Sequence, residues 1–274
     1  MNCIRQTINS RYMNRRFHRY SIILWLLVLL ATASTLLAAD AEYIWAENDF
    51  SGSTLYMSSY RNGSWGKKEL IFSDDNLNIL PALGSDSRGN HLAVWVTLKA
   101  DGRSVLKYSW QEDNGWTAPS ILWDEFKDNL APVILFDAVD TPWVIWSANN
   151  GDDDDIYAVS STNERWSFPV KLHADNAVPD ILPRARLDSS GEIIVSWQQL
   201  GKDDLYRQMT AVLGAGGRYV KSLMRAKSKT RKMLVTRKDA EIPLPPFEAN
   251  SRSTLYFPGR RELQSTVIRK RIDQ

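Results

Sequence analysis

Beyond residue 42 the chain runs in short stretches where apolar and polar positions alternate, as in His91-Leu92-Ala93-Val94-Trp95 and Ile193-Ile194-Val195-Ser196-Trp197. Period-two alternation, β-branched and aromatic enrichment, and turn residues about every 8–12 positions predict antiparallel strands. The stretches recur with one period. Trp45, Trp95, Trp146 and Trp197 stand 50, 51 and 51 residues apart, and Trp65, Trp116 and Trp166 follow at 51 and 50. Pro81, Pro132 and Pro183 are each 51 apart, as are Asp86, Asp137, Asp188 and Asp239. Four series sharing one period indicate a duplicated unit.

Each unit reads as four strands. The first carries the Pro and ends at the Asp; a Gly-containing turn leads to the second, which ends at the first Trp. The third holds an aliphatic-x pair (Leu55-Tyr56, Leu106-Lys107, Ile156-Tyr157, Leu205-Tyr206), and the fourth opens at the second Trp. Four strands in about 50 residues is the length of one propeller blade. The predicted fold is therefore all-β, a β-propeller of four clear blades over 42–239, with 240–274 as a basic tail or a degenerate fifth blade. The first unit lacks its first strand, which the far end of such a ring usually supplies. Residues 231–239 keep the Asp phase and are one candidate. Ser253-Thr254-Leu255-Tyr256 echoes Ser53-Thr54-Leu55-Tyr56 and suggests a worn fifth blade instead. The seven phased Trp are expected in the blade core, and the phased Asp in turns, where an Asp side chain bonds backbone two residues on.

The skeleton Pro-x4-Asp, Gly, apolar-x-Trp, aliphatic-Tyr, Trp-x-x-Pro, over roughly residues 42–225, resembles sialidase-like propellers of the bacterial-neuraminidase-repeat type. The resemblance implies a propeller fold and, as one reading, glycoside hydrolysis. Where that family carries its Asp-box, this chain keeps the closing Trp65, Trp116 and Trp166 but has Tyr60, Gln111 and Ser161 at the Asp position. The family's Phe-Arg-Ile-Pro strand is absent.

The N-terminus has a different character. Arg5, Arg11, Arg15, Arg16 and Arg19 precede an apolar run over 22–31, and Ala39-Asp40-Ala41 offers a cleavage site. Residues 1–41 are expected to be a signal peptide or signal anchor, so that the remainder is exported to the periplasm or outside the cell. As an uncleaved anchor, residues 21–39 would span about 28 Å of helix. Membrane contact is expected only through this segment, and nucleic acid is not an expected partner of an exported chain.

Composition narrows the chemistry. The 274 residues are 43% hydrophobic and 24% charged with 11 Trp, which excludes a disordered chain. A single Cys excludes a disulfide scaffold, and 3 His are too few for a His-rich metal site. Nucleotide, zinc-protease and serine-hydrolase motifs are missing. Charge is unevenly placed: residues 42–217 carry 14 Lys+Arg against 26 Asp+Glu, and 218–274 carry 15 against 5.

Sixteen of the 26 acids fall in loops expected on one face, with Lys99, Lys127 and Lys202 as counterweights. They include Asp49, Asp101, Asp152, Asp153, Asp154, Asp155, Asp203 and Asp204 in hairpins. Asp124, Glu125, Asp175 and Asp180 lie between blades. Such a face attracts cations or basic partners. The expected function is a non-catalytic module binding a protein or carbohydrate, with no assigned catalytic residue. The ten candidate binding residues are those eight hairpin acids together with Asp124 and Glu125. Trp110, Trp123 and Trp143 fall outside both Trp series and could stack on a sugar. No cofactor is required, although Asn149-Asn150-Gly151 and the four Asp that follow offer the oxygen ligands Ca²⁺ takes. Two alternatives stand: a glycoside hydrolase drawing its carboxylate pair from Asp124, Glu125 and residues 152–155, and a truncated repeat protein without independent activity. Residues 218–274 are expected either to dock on the acidic face or to hold a second copy of the protein there.

Overall fold

The computed structural model describes residues 41–49, 52–203 and 205–213, and the backbone of Tyr219–Ser222, Lys229–Thr230 and Thr254–Tyr256. The expected leader, Asp204, Asp239 and residues 231–239 lie outside the described residues. The described residues contain strands and turns and no helix.

The repeat folds as read. Sheet one contains β1 (Ala41–Asp49), β2 (Gly52–Arg61), β3 (Ser64–Trp65) and β4 (Glu69–Asp74). Sheet two contains β5 (Leu77–Ser85), β6 (His91–Leu98), β7 (Ser104–Glu112), β8 (Gly115–Trp116) and β9 (Ser120–Trp123). Sheet three contains β10 (Asp128–Phe136), β11 (Pro142–Asn149), β12 (Asp154–Thr162), β13 (Arg165–Trp166) and β14 (Val170–Lys171). Sheet four contains β15 (Asp180–Leu187), β16 (Ile193–Leu200), β17 (Tyr206–Leu213), β18 (Tyr219–Ser222) and β19 (Lys229–Thr230). All pairings are antiparallel, and the fourth strand of each unit is broken into two short pieces that both pair with the third.

The last described strand, β20 (Thr254–Tyr256), does not head a fifth sheet. It pairs with β1 through Tyr43↔Leu255 and Ile44↔Thr254, the place that β5 takes against β6 through Leu83↔Ala93 and Ala82↔Val94. The far end of the chain thus supplies the missing first strand, and it does so with the segment that echoes Ser53-Thr54-Leu55-Tyr56.

The phased residues acquire separate roles. Trp45, Trp95, Trp146 and Trp197 are at most 1% exposed. Trp95, Trp146 and Trp197 fill the three seams between successive sheets: Trp95 lies with Ile44 and Leu55, Trp146 with Val94 and Leu106, Trp197 with Ile145 and Ile156. Trp65, Trp116 and Trp166 are only half-buried, at the outer strands, so the second series is edge packing rather than core. Pro81, Pro132 and Pro183 sit where the ladder skips, after Leu80, Ala131 and Leu182 at φ 52°, 50° and 56°. A bulge is where a strand tolerates a residue without an N–H. The phased Asp close their turns as expected: Asp86 Oδ1 accepts from the amides of Arg88 and Asn90, Asp137 Oδ1 from Val139 and Thr141, and Asp188 Oδ1 from Ser190 and Glu192.

Candidate functional site

The hairpin acids separate by whether they have a cation of their own. Asp101 pairs with Arg103 at 2.9 Å and Asp203 with Arg207 at 2.7 Å. Asp49 accepts the Gly52 amide at 3.1 Å, closing its own hairpin. Glu47 is met by Lys68 and Asp74 by Lys107. The loop face is therefore more compensated than the three lysines counted in sequence suggest, because Arg and Lys at the strand ends turn back on it.

One corner is different. The connection over residues 124–128 lies beside the β11–β12 hairpin, where the Lys127 amide donates to the Asn149 carbonyl at 2.9 Å. Asp128 and Asp154 both oppose Asn149 across the strands. Asp124, Glu125, Asp128, Asp152, Asp153 and Asp154 make no ion pair among the described residues. Burial, followed by the charge of Asp155, raises the Asp153 carboxyl above its ordinary pKa. Burial, with the charges of Asp128 and Asp155, does the same at Asp154. Aromatic rings flank the corner: Phe126 lies 4.5 Å from Tyr157 and 5.8 Å from Trp123, and Phe168 is 81% exposed. Of the three unphased Trp, Trp143 is buried and donates to Asp137, and Trp110 packs on Phe136, so only Trp123 borders these acids.

Asp155 leaves this group altogether and turns into the seam between sheets three and four. The repeat shows what belongs there. Residues 53, 104 and 155 are in phase on the third strands, and 78, 129 and 180 on the first strands of the following sheets. At the first seam the Asn78 amide donates to Ser53 Oγ at 2.8 Å, and Asn78 Oδ1 accepts from Trp95 Nε1 and Thr97 Oγ1. At the second, the Asn129 amide donates to Ser104 Oγ, and Asn129 Oδ1 accepts from Trp146 Nε1 at 2.9 Å. At the third seam both members are acids. Asp180 Oδ1 accepts from Trp197 Nε1 and Gln199 Nε2, so it keeps the asparagine's role, but it brings a charge.

A histidine stands between the two acids. His173 follows β14 at the position of Phe72 and Trp123 in the earlier units, and its ring lies on Trp197 at 5.5 Å as Phe72 lies on Trp95 at 5.7 Å. His173 Nε2 is 3.5 Å from Asp155 Oδ1 and 3.5 Å from Asp180 Oδ2. These three atoms lie within 4.8 Å of one another, and both carboxylates are at most 1% exposed. Lys171 meets the far oxygen, Asp155 Oδ2, at 2.7 Å and Asp175 at 2.6 Å. Burial works against the Lys171 ammonium, but these two carboxylates outweigh it and hold its pKa well above the usual lysine range. In the sequence His173 is merely one of 3 His, and Asp180 reads as a loop acid between blades. The signal was present as a departure from the repeat: Ser, Ser, Asp and Asn, Asn, Asp at two phased positions.

No family model matches the sequence, and no curated protein matches it. Among solved structures, Bacillus subtilis levansucrase in complex with oligosaccharides is similar with a TM-score of 0.50 at 10% identity, over 86% of this chain and 89% of that one. An endo-arabinase from Bacteroides thetaiotaomicron has a TM-score of 0.45 at 14% identity, over 88% of this chain and 97% of that one. A Hadza microbial sialidase has a TM-score of 0.43 at 12% identity, over 63% of this chain, and the chain spans only 45% of its length. The levansucrase match supports a propeller-like fold for this chain.

Proposed function

We propose that this protein is an exported propeller that holds a cationic partner segment at the acidic corner of residues 124–128 and 152–154, without bond chemistry there. The supporting observation is the contrast among the loops. Glu47, Asp74, Asp101 and Asp203 each meet an Arg or Lys, whereas this corner gathers six acids with no ion pair among the described residues. Uncompensated charge in one place focuses the field that draws a Lys- or Arg-rich segment in. The rings of Trp123 and Phe126 beside it add faces on which a cation can rest.

The glycoside hydrolase reading draws on the propeller neighbours and on Asp124 and Glu125. It needs two accessible carboxylates about 5–9.5 Å apart on either side of a scissile bond. Asp155 and Asp180 do not meet it: they lie within 4.8 Å of one another and are sealed in the seam. Fluorescence anisotropy with a Lys/Arg-rich peptide separates the two readings. Binding should weaken steeply with salt and fall roughly tenfold in an Asp124→Asn/Glu125→Gln/Asp152→Asn variant, as desolvated charge pairs at an interface do. A panel of chromogenic glycosides should show no turnover. Turnover that disappears on Asp124→Asn or Glu125→Gln would replace this proposal with the hydrolase.

A further inference from the structure

The third seam carries a feature that neither the fold nor the acidic corner requires. Asp155 Oδ1 is buried without a hydrogen bond, although the residue is 1% exposed. Its partner oxygen is held by Lys171, so Oδ1 is aimed by that contact toward His173 Nε2 and Asp180 Oδ2. An unmade bond at a buried carboxylate oxygen is costly. At the two other seams the phased residues leave no such atom.

The imidazole is set for the same job. The Ile156 amide donates to Nε2 at 3.2 Å, which makes Nε2 an acceptor and leaves the ring proton on Nδ1, beside the Ala174 carbonyl at 3.0 Å. That amide contact is long, and the same Nε2 stands 3.5 Å from two carboxylate oxygens, a gathering of acceptors that a cation between them relieves. Four-coordinate ligands at about 2.0–2.2 Å from a metal lie roughly 3.3–3.6 Å from each other. The two separations of 3.5 Å fall in that range. An Nδ1–H held by a backbone carbonyl is also how metal-ligating histidines are oriented. Asp153, on the same hairpin, has a second buried and unbonded oxygen, Oδ2. Charge closes as well: a divalent cation matches the two carboxylates Asp155 and Asp180 that face it.

We infer that Asp155 Oδ1, His173 Nε2 and Asp180 Oδ2 form a site for a first-row divalent cation such as Zn²⁺, clamping sheet three to sheet four. One imidazole and two carboxylates suit Zn²⁺ better than the all-oxygen set Ca²⁺ takes. The ion displaces the long Ile156 amide contact and takes the Nε2 lone pair in its place. This site is independent of the peptide-binding corner, since Asp124, Glu125 and Asp152 have no part in it.

The test uses the full chain after dialysis against a chelator, titrated with Zn²⁺ by calorimetry and followed by thermal unfolding. One equivalent should bind, and the unfolding midpoint should rise with Zn²⁺ and fall again with chelator. The control is Asp155→Ser/Asp180→Asn, which rewrites the third seam as the first two and so keeps a pairing the fold already uses twice. It should stay folded, bind Zn²⁺ about 100-fold more weakly or worse, and ignore the chelator. No Zn²⁺ uptake by the parent chain, or equal uptake by the double variant, overturns the inference. So does a parent chain that ignores Zn²⁺ and is stabilised only by acidification, because the cation in the seam would then be the His173 imidazolium.

Discussion

Between sheets one and two, and again between two and three, a serine hydroxyl meets an asparagine amide, and the asparagine oxygen receives the indole N–H of the buried Trp. Between sheets three and four the same two positions hold carboxylates, with His173 in place of Phe72 or Trp123. The indole bond is made in all three. Two neutral seams therefore show what the architecture needs, and the third shows what has been added to it. Burying carboxylates carries a desolvation cost that a Ser–Asn pair avoids, and one lysine offsets it only in part. The added charge is consistent with a ligand rather than with a requirement of folding.

The comparison presumes a frame in which every sheet has its first strand, and removing that frame gives the largest effect. Deleting residues 240–274 takes away Thr254–Tyr256 and leaves the β1 edge unpaired. The truncated protein should lose cooperative unfolding and aggregate, as read by light scattering during a thermal ramp. A truncated protein that stays monomeric and binds basic peptide more strongly would mean that the tail acts as an electrostatic latch over the acidic corner.

Single substitutions should then rank the seams. Asp180→Ala strips the third seam of a charge that His173, Asn176, Trp197 and Gln199 all contact, and should cost about 3–5 kcal/mol in denaturant unfolding. Asn129→Ala at the second seam removes neutral bonds only and should cost about 1–3 kcal/mol. Equal losses would erase the distinction between the seams.

How much of this was legible beforehand follows from what repeats. The strand order, the Trp core and the Asp turns could be read because each recurs at the same phase in several units, so period and chemistry reinforce each other. The closing strand was harder: Thr254–Tyr256 lacks a phased Trp, Pro or Asp, and its echo of residues 53–56 points to a third strand, whereas its pairing is that of a first strand. The metal-ligand cluster was hidden for the opposite reason. Asp155 lies in a run of four acids that reads as one exposed patch, yet strand alternation sends Asp155 inward while Asp152 stays in solvent. Asp155 and His173 meet when β14 pairs with β12, and Asp180 joins them only when sheets three and four pack.

A smaller effect separates turn acids from seam acids. Burial raises the Asp86 carboxyl, but donors from Asn90 and Arg88 outweigh it and leave the pKa below the usual 3.8. Its contribution is thus present above 3.8 and is lost as pH falls through the lowered folded value. Asp86→Ala should cost about 1 kcal/mol at neutral pH, and the gap from the parent should narrow in acid. Zn²⁺ or chelator should leave that gap unchanged, since Asp86 is in a turn away from the third seam.

The central claim is that the third seam is built around a cation while the other two are not. Anomalous diffraction at the zinc edge, from crystals of the full chain grown with Zn²⁺, tests it most directly. The account predicts one internal peak about 2.0–2.2 Å from Asp155 Oδ1, His173 Nε2 and Asp180 Oδ2, with nothing at the Ser53–Asn78 or Ser104–Asn129 seams. A map with no density among those three atoms, or with zinc only on surface acids, would contradict it.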